Sequence, residues 1–205
     1  MAEVISGTKT MLLEDDPYGE IRFAGKQIPS FMTMIPDNTV LLGSFSKIVA
    51  PGIRLGWLVA PEALLEKIII AKQAADLHTS YYIQCMVYQY MIDNDVEKHI
   101  KRICDCYGRQ CQAMIDAIKE FCPSSVTHSH PEGGMFLWAT MPEGASARKL
   151  LDMAVKEKVL FVPGDPFYIG KKDSNTMRLN FTCSNEEEIR VGIKRLGNAM
   201  HKLLK

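Results

Sequence analysis

The chain has 205 residues, with 24 basic and 24 acidic side chains, so its formal net charge is zero. Hydrophobic residues make up 47% and charged residues 23%, the balance of an ordinary globular protein. That balance excludes the basic footprint of a nucleic-acid binder and a polybasic membrane patch. No apolar run reaches the length of a membrane span, and Met1 to Thr10 lacks the apolar core of a signal peptide. The chain is therefore expected to be cytoplasmic and long enough to bury a core without staples.

Met11-Leu12-Leu13 is a short apolar run stopped by Glu14-Asp15-Asp16-Pro17-Tyr18-Gly19. It reads as a buried strand ending in a loop. Val40-Leu41-Leu42-Gly43 reads as a second strand, with Ser44-Phe45-Ser46-Lys47 at its carboxyl end, and Arg54 to Ala60 as a third. Pro61 opens a helix that runs to about Asp76. Further helices are expected over Ser80 to Ile92 and over Val96 to Phe121, the last ended by Pro123.

Beyond Gly133-Gly134, strands are expected at Met135 to Ala139, at Val159 to Val162 before the Pro163-Gly164 turn, and at Met177 to Phe181. Ser146 to Glu157 reads as a helix, and Asn185 as the cap of a final one. Strands and helices alternate, so the class is α/β. A domain boundary is placed near residue 95.

Four features carry chemistry. Asp15 at a strand end can pair with a protonated ring nitrogen, and Tyr18 can donate to an oxygen on the same ring; Asp, Pro and Gly also favour a plain turn. Lys47 follows two hydroxyls, Ser44 and Ser46. A lysine held as the free amine attacks a carbonyl to form an imine, and the hydroxyls suit a phosphate; a surface lysine is the bland alternative. Arg54 stands beyond an apolar Ile48 to Ile53 segment, where a phosphate would account for it. Arg178, between Met177 and Leu179, can clamp a carboxylate through two parallel hydrogen bonds; a strand arginine facing water is the alternative.

Other residues read more plainly. His128 and His130 alternate along an extended stretch but lack further metal ligands, so no metal site is expected. His99 reads as a surface or interhelix residue. Tyr81, Tyr82, Tyr88 and Tyr90 read as helix packing and Trp138 as core. The six cysteines contain no C-x-x-C pair and read as reduced thiols packed as small hydrophobes; Cys104 and Cys111 share one helix face.

Glu14-Asp15-Asp16-Pro17-Tyr18, Gly43-Ser44-Phe45-Ser46-Lys47, Ala50-Pro51-Gly52-Ile53-Arg54-Leu55-Gly56-Trp57 and Met177-Arg178-Leu179-Asn180-Phe181, in this order, resemble the class I/II aminotransferases of fold type I. The similarity runs from about Met11 to the C-terminus and is nearest to the aminoadipate and aromatic aminotransferases. It implies pyridoxal 5'-phosphate (PLP) as cofactor and amino-group transfer between an α-amino acid and a 2-oxo acid. Lys47 is then the lysine that holds the cofactor as a Schiff base and moves the proton. Asp15 pairs with the pyridine nitrogen, Tyr18 bonds the ring oxygen, and Ser44, Ser46 and Arg54 hold the phosphate. Arg178 holds the substrate carboxylate.

The resemblance also implies an incomplete large domain, mainly parallel sheet with helices, over residues 1–95, and a smaller α+β domain over 96–205. The family's Asn-Pro-x-Gly segment, its phosphate-binding amide loop and the aromatic residue that stacks on the ring would lie upstream of Asp15. Half a sheet leaves strand edges and apolar surface uncovered. A homodimer is implied for the complete protein, with neither nucleic acid nor membrane as partner. A non-catalytic effector- or PLP-binding domain, as in certain bacterial regulators, and a related PLP lyase are the alternatives.

Overall fold

A computed structural model describes residues 1–170 and 173–205. The chain divides into two compact units, Met1–Ile103 and Cys104–Lys205.

The first unit holds a short helix α1 (Ala2–Ile5) and strands β1 (Leu12–Asp15), β2 (Thr39–Ser44) and β3 (Gly56–Val59), then helices α2 (Glu62–Asp76) and α3 (Tyr81–Asp93). The strands form one sheet in the order β1-β2-β3, parallel between β1 and β2 and antiparallel between β2 and β3. Both outer strands keep a free edge within this sheet.

The expected strands are present, but the expected burial of the first is not. Leu13 is 64% exposed. Alternation along β1 puts Leu13 and Asp15 on one face and Leu12 and Glu14 on the other. Glu14 accepts a hydrogen bond from the Ser30 hydroxyl at 2.7 Å, whereas no element of the first unit covers Leu13. Trp57 and Val59 on β3 are exposed as well. The helices repeat the pattern: α2 buries no residue and α3 only Val87. Tyr81, Tyr82 and Tyr88, expected as helix packing, are exposed. Only Tyr90 is half-buried, with His99 edge-on at 6.3 Å.

The long helix α4 (Val96–Phe121) crosses the division between the units. The second unit continues with β4 (Thr127–His128), β5 (Phe136–Thr140), α5 (Ala147–Lys156), β6 (Val162–Pro163), β7 (Thr176–Asn180) and α6 (Glu186–Leu203). Its sheet is antiparallel throughout, in the order β4-β5-β7-β6. One face is dry: Leu137, Ala139, Met177 and Leu179 are buried, as are Leu150 of α5 and Ile193, Leu196 and Met200 of α6.

Helix α6 starts as its sequence demands. The Asn185 side chain accepts from the Glu188 amide and the Glu188 carboxylate accepts from the Asn185 amide, a reciprocal capping box. Its flank is tied to α4 by a two-point Arg190–Glu120 contact at 2.7 and 2.6 Å and by Gln110 donating to the Ser184 carbonyl at 2.7 Å. The strand expected at Val159 to Val162 shrinks to Val162–Pro163, because only these two residues find partners on β7. Leu160 points into solvent. Strand β4 was not anticipated as a strand; at two residues it is too short to show a period.

None of the six cysteines forms a disulfide. Burial pushes the Cys111 and Cys122 thiols up to about 11. Thiols raised in the fold remain protonated where unfolded ones ionise, so their stabilising contribution is complete below about pH 8.5. It is lost as the pH rises toward 11. Thiol reagents at pH 8 should therefore label the exposed Cys85 and Cys183 first. Mass mapping in which Cys111 reacts as fast as Cys85 would contradict this packing.

Gly197 gives a second check. A Cβ there would lie 2.3 Å from the Phe121 carbonyl oxygen, a backbone atom with little room to give. Alanine gains about 1 kcal/mol of helix propensity, but overpacking costs about 1–3 kcal/mol. Gly197→Ala should lower stability in urea unfolding, and a gain would show that the two helices are free to part.

Candidate active site

Parallel pairing decides which residues of the first unit meet. Asp15 is in register with Leu42, and the Asp16 amide donates to the Leu42 carbonyl at 3.0 Å. The carboxyl ends of β1 and β2 therefore lie side by side, Asp15 on one and Ser44 on the other. Because β3 is antiparallel, its start is at the same end, with Gly56 opposite Ser44 and the Phe45 amide donating to the Leu55 carbonyl at 3.1 Å. Asp15, Tyr18, Ser44, Ser46, Lys47 and Arg54 all flank this one end of the sheet. Carboxyl ends of parallel strands are where α/β sheets build their sites.

The turn after β2 is held locally. The Ser44 hydroxyl oxygen accepts from the Ser46 amide at 3.1 Å, and the Val49 amide donates to the Phe45 carbonyl at 2.8 Å. This turn presents Lys47, half-buried, with Nζ 5.6 Å from the centre of the Tyr18 ring. No salt bridge among the described residues engages Lys47, and Asp15 is exposed. Arg54 is exposed too; among the described residues its guanidinium reaches only the Pro51 carbonyl, at 3.4 Å.

Two features of this end escaped the motif reading. Arg54 has φ 51° and ψ 38°, the left-handed conformation that non-glycine residues avoid. It ends a short 3-10 turn, Pro51–Ile53, and the conformation swings the chain from that turn into β3. The other is the Gly43–Trp57 contact. A Cβ on Gly43 would sit 2.2 Å from the Trp57 ring, so the indole lies flat across β2 only because position 43 is glycine. Register does mark this pair, since Gly43 stands opposite Trp57.

In the second unit, Arg178 is on the face of the sheet opposite the buried core. Trp138 and Val162 are its partners in register, and Phe136 is on the same face one pleat away. Trp138 is thus half-buried on the arginine's face and not in the core, because its neighbours Leu137 and Ala139 take the buried positions. The Arg178 guanidinium carbon lies 4.1 Å above the Phe136 ring and 5.2 Å from the Phe167 ring. Phe167 meets Trp138 edge-on at 5.2 Å, and Tyr168 meets it at 6.3 Å.

The turn carrying Phe167 is fixed by a buried carboxylate. Asp165 Oδ1 accepts the Ser174 amide at 3.0 Å, and Oδ2 faces Arg148 Nε at 3.4 Å. The latter is an ion pair too long to be a good hydrogen bond, which leaves Oδ2 without a hydrogen-bond donor among the described residues. The turn also presses on β7, since a Cβ on Gly164 would meet the Thr176 hydroxyl. Asp165 was missed because an Asp between Gly and Pro looks like turn chemistry, and only burial distinguishes it.

The His128 and His130 rings lie 4.6 Å apart between centres, tilted by 56°. No group of three or more metal-ligating side chains occurs among the described residues. No helix among them is long and apolar enough to cross a membrane.

The family model for aminotransferase class I and II matches residues 1–196. Aromatic-amino-acid aminotransferase 1 of Thermococcus litoralis is 41% identical over 206 residues, covering 100% of this chain and 49% of the relative. The 2-aminoadipate transaminase of Thermus thermophilus is 37% identical over 198 residues, covering 95% and 50%. Among solved structures, LysN, the α-aminoadipate aminotransferase of Thermus thermophilus in complex with N-(5'-phosphopyridoxyl)-L-leucine, superposes with a TM-score of 0.94. It is 35% identical, with coverage of 99% of this chain and 53% of that one. The chain spans about half the length of these relatives, and with a family match over nearly all its residues it belongs to the class I and II aminotransferases of PLP fold type I.

Proposed function

We propose that the chain supplies the lysine, the ring-nitrogen carboxylate and two anion-binding arginines of a PLP-dependent aminotransferase, which moves an amino group between an α-amino acid and a 2-oxo acid. The observation that carries this reading is the convergence on one sheet end of an amine, a carboxylate, a guanidinium and two hydroxyls. Lys47 and Arg54 there have no carboxylate partner among the described residues. That donor set fits PLP group by group: a carboxylate for a ring NH⁺, a phenol for a ring oxygen, hydroxyls and a guanidinium for a phosphate, and an amine for an aldehyde.

When bound, PLP supplies an electron sink for the bonds at the amino-acid Cα. The chain's own residues act on the cofactor and the substrate. Asp15 holds a proton on the ring nitrogen through a charge-assisted hydrogen bond, and the Tyr18 hydroxyl donates to the ring oxygen. Ser44, Ser46 and Arg54 bind the phosphate. Lys47 Nζ would carry the proton between the substrate Cα and the cofactor C4′. Arg178 orients the substrate by its α-carboxylate. Support for the amino- and oxo-acid pair comes from the relatives' names as aromatic-amino-acid and 2-aminoadipate aminotransferases. Support for the cofactor comes from the phosphopyridoxyl adduct in the LysN structure.

In this reading residues 1–95 are the partial PLP-binding large domain and 96–205 the small domain of a cytoplasmic homodimeric enzyme. The exposed Leu13, Trp57 and α3 tyrosines are then surface that the remainder of a longer chain or a second subunit covers.

Borohydride reduction after adding PLP should fix the label on Lys47 in a peptide map and on no residue in Lys47→Ala. A map with other lysines labelled and Lys47 unmodified would overturn the assignment.

Arg54 separates function from stability. Arg54→Ala should raise the PLP dissociation constant about ten- to a hundredfold, the loss of roughly 1.5–3 kcal/mol of charge-assisted hydrogen bonding. Arg54→Gly should bind PLP equally poorly, yet unfold at higher urea than Arg54→Ala. Glycine removes about 1 kcal/mol of left-handed backbone strain that alanine keeps. Equal stability of the two variants would show that the strain is absent.

A further inference from the structure

We propose that Phe136 and Phe167 are positioning residues that hold the Arg178 guanidinium for edge-on, two-point capture of a planar carboxylate. This rests on the reading of Arg178 as the carboxylate clamp and deepens it.

Arg178 is half-buried, and no salt bridge among the described residues engages it. A cation withdrawn from water in that way needs compensation. Two rings lie against it, Phe136 at 4.1 Å and Phe167 at 5.2 Å, with Trp138 and Val162 opposite in register. Ring faces attract a guanidinium through their quadrupole. They do so across its flat face, whereas its N–H donors point outward in the plane. A protein carboxylate in the same place would have occupied those donors. Stacking in that mode, which the 4.1 Å approach of the guanidinium carbon to the Phe136 ring allows, would restrain the side chain and leave the donors for an anion that approaches in the plane. A carboxylate has the planar two-oxygen geometry that matches this fork. A tetrahedral phosphonate matches it less well.

The rings are themselves held. Phe136 belongs to β5, where register with β7 fixes it beside Arg178. Phe167 belongs to the turn after Gly164, which Asp165 ties to the Ser174 amide and which Trp138 meets edge-on. Sequence alternation alone, Phe136 and Trp138 on one strand and Arg178 on its neighbour, marks half of this arrangement. The Phe167 half needs the turn to fold back.

The test uses the 205-residue chain labelled with 15N-arginine, with the Arg178 Nε–H resonance assigned from its loss in Arg178→Lys. Stacking should move that resonance upfield by ring current. The shift should fall most in Phe136→Leu, less in Phe167→Leu, and persist in Phe136→Tyr and Phe167→Tyr. Phe167 is 48% exposed and lies outside the buried core, so its substitution should spare the fold. Titrated with acetate, the wild type should perturb the Arg178 resonance, and more strongly than with methylphosphonate. Each leucine variant should raise the acetate dissociation constant about three- to tenfold, a loss of roughly 0.7–1.4 kcal/mol. Each tyrosine variant should stay within about twofold.

Leucine variants that bind acetate as tightly as the wild type would overturn the positioning role and leave the clamp standing. An unshifted Arg178 resonance in the wild type would overturn it as well. A ring-shifted resonance that acetate does not touch would instead overturn the clamp.

Discussion

The parallel pairing of β1 with β2 is the constraint on which the site depends. Residues 15 and 47 are far apart along the chain, and nothing local holds them together. One ladder does, with Asp15 beside Leu42 and the Asp16 amide on the Leu42 carbonyl. Because side chains alternate with a period of two, a slip of one residue would turn Asp15 to the face of Glu14 and remove it from the group. The antiparallel third strand then returns Arg54 to the same end. One charged group from each of three segments is gathered by three short strands.

The same period of two organises the second unit, to a different end. There it separates a dry face, Leu137, Ala139, Met177 and Leu179, from a face that bears Phe136, Trp138 and Arg178. The dry face anchors the sheet, so the other face can carry a cation without an ion-pair partner among the described residues. Stability and, in the proposed reading, recognition are thereby divided between the two sides of the same strands. The first unit has no such division. Both faces of its sheet expose apolar side chains, and α2 contributes no buried residue. A sheet of this kind gains little from its own burial and calls for covering surface from elsewhere.

The elements with strong periodicity or capping were legible in the sequence. Helix α4 and the Asn185 cap of α6 lie where pattern and propensity place them, because local chemistry alone sets them. The four motifs told which residue types to look for. What eluded the sequence was burial and conformation set by distant partners. Leu13 reads as buried because apolar runs usually are, but nothing in the first unit covers it. Trp138 reads as core because tryptophan is large and apolar, yet strand parity gives it to the Arg178 face. Arg54 shows no sign of its left-handed backbone, since that conformation favours glycine and an arginine stands there instead. The buried Asp165 is hidden in what looks like a turn, and its partner Ser174 lies beyond the reach of any local pattern.

The contact that tests this account most directly is that between Lys47 and Tyr18, the consequence of β1–β2 pairing that brings chemistry together. A nuclear Overhauser spectrum of the chain in solution should show cross-peaks between the Tyr18 ring protons and the Lys47 ε-methylene, given Nζ at 5.6 Å from the ring centre. Such cross-peaks, alongside the backbone contacts from Asp15 to Leu42, are the predicted result. Backbone contacts in this register with no Tyr18–Lys47 cross-peak would contradict it, since the strands would then pair without assembling the site.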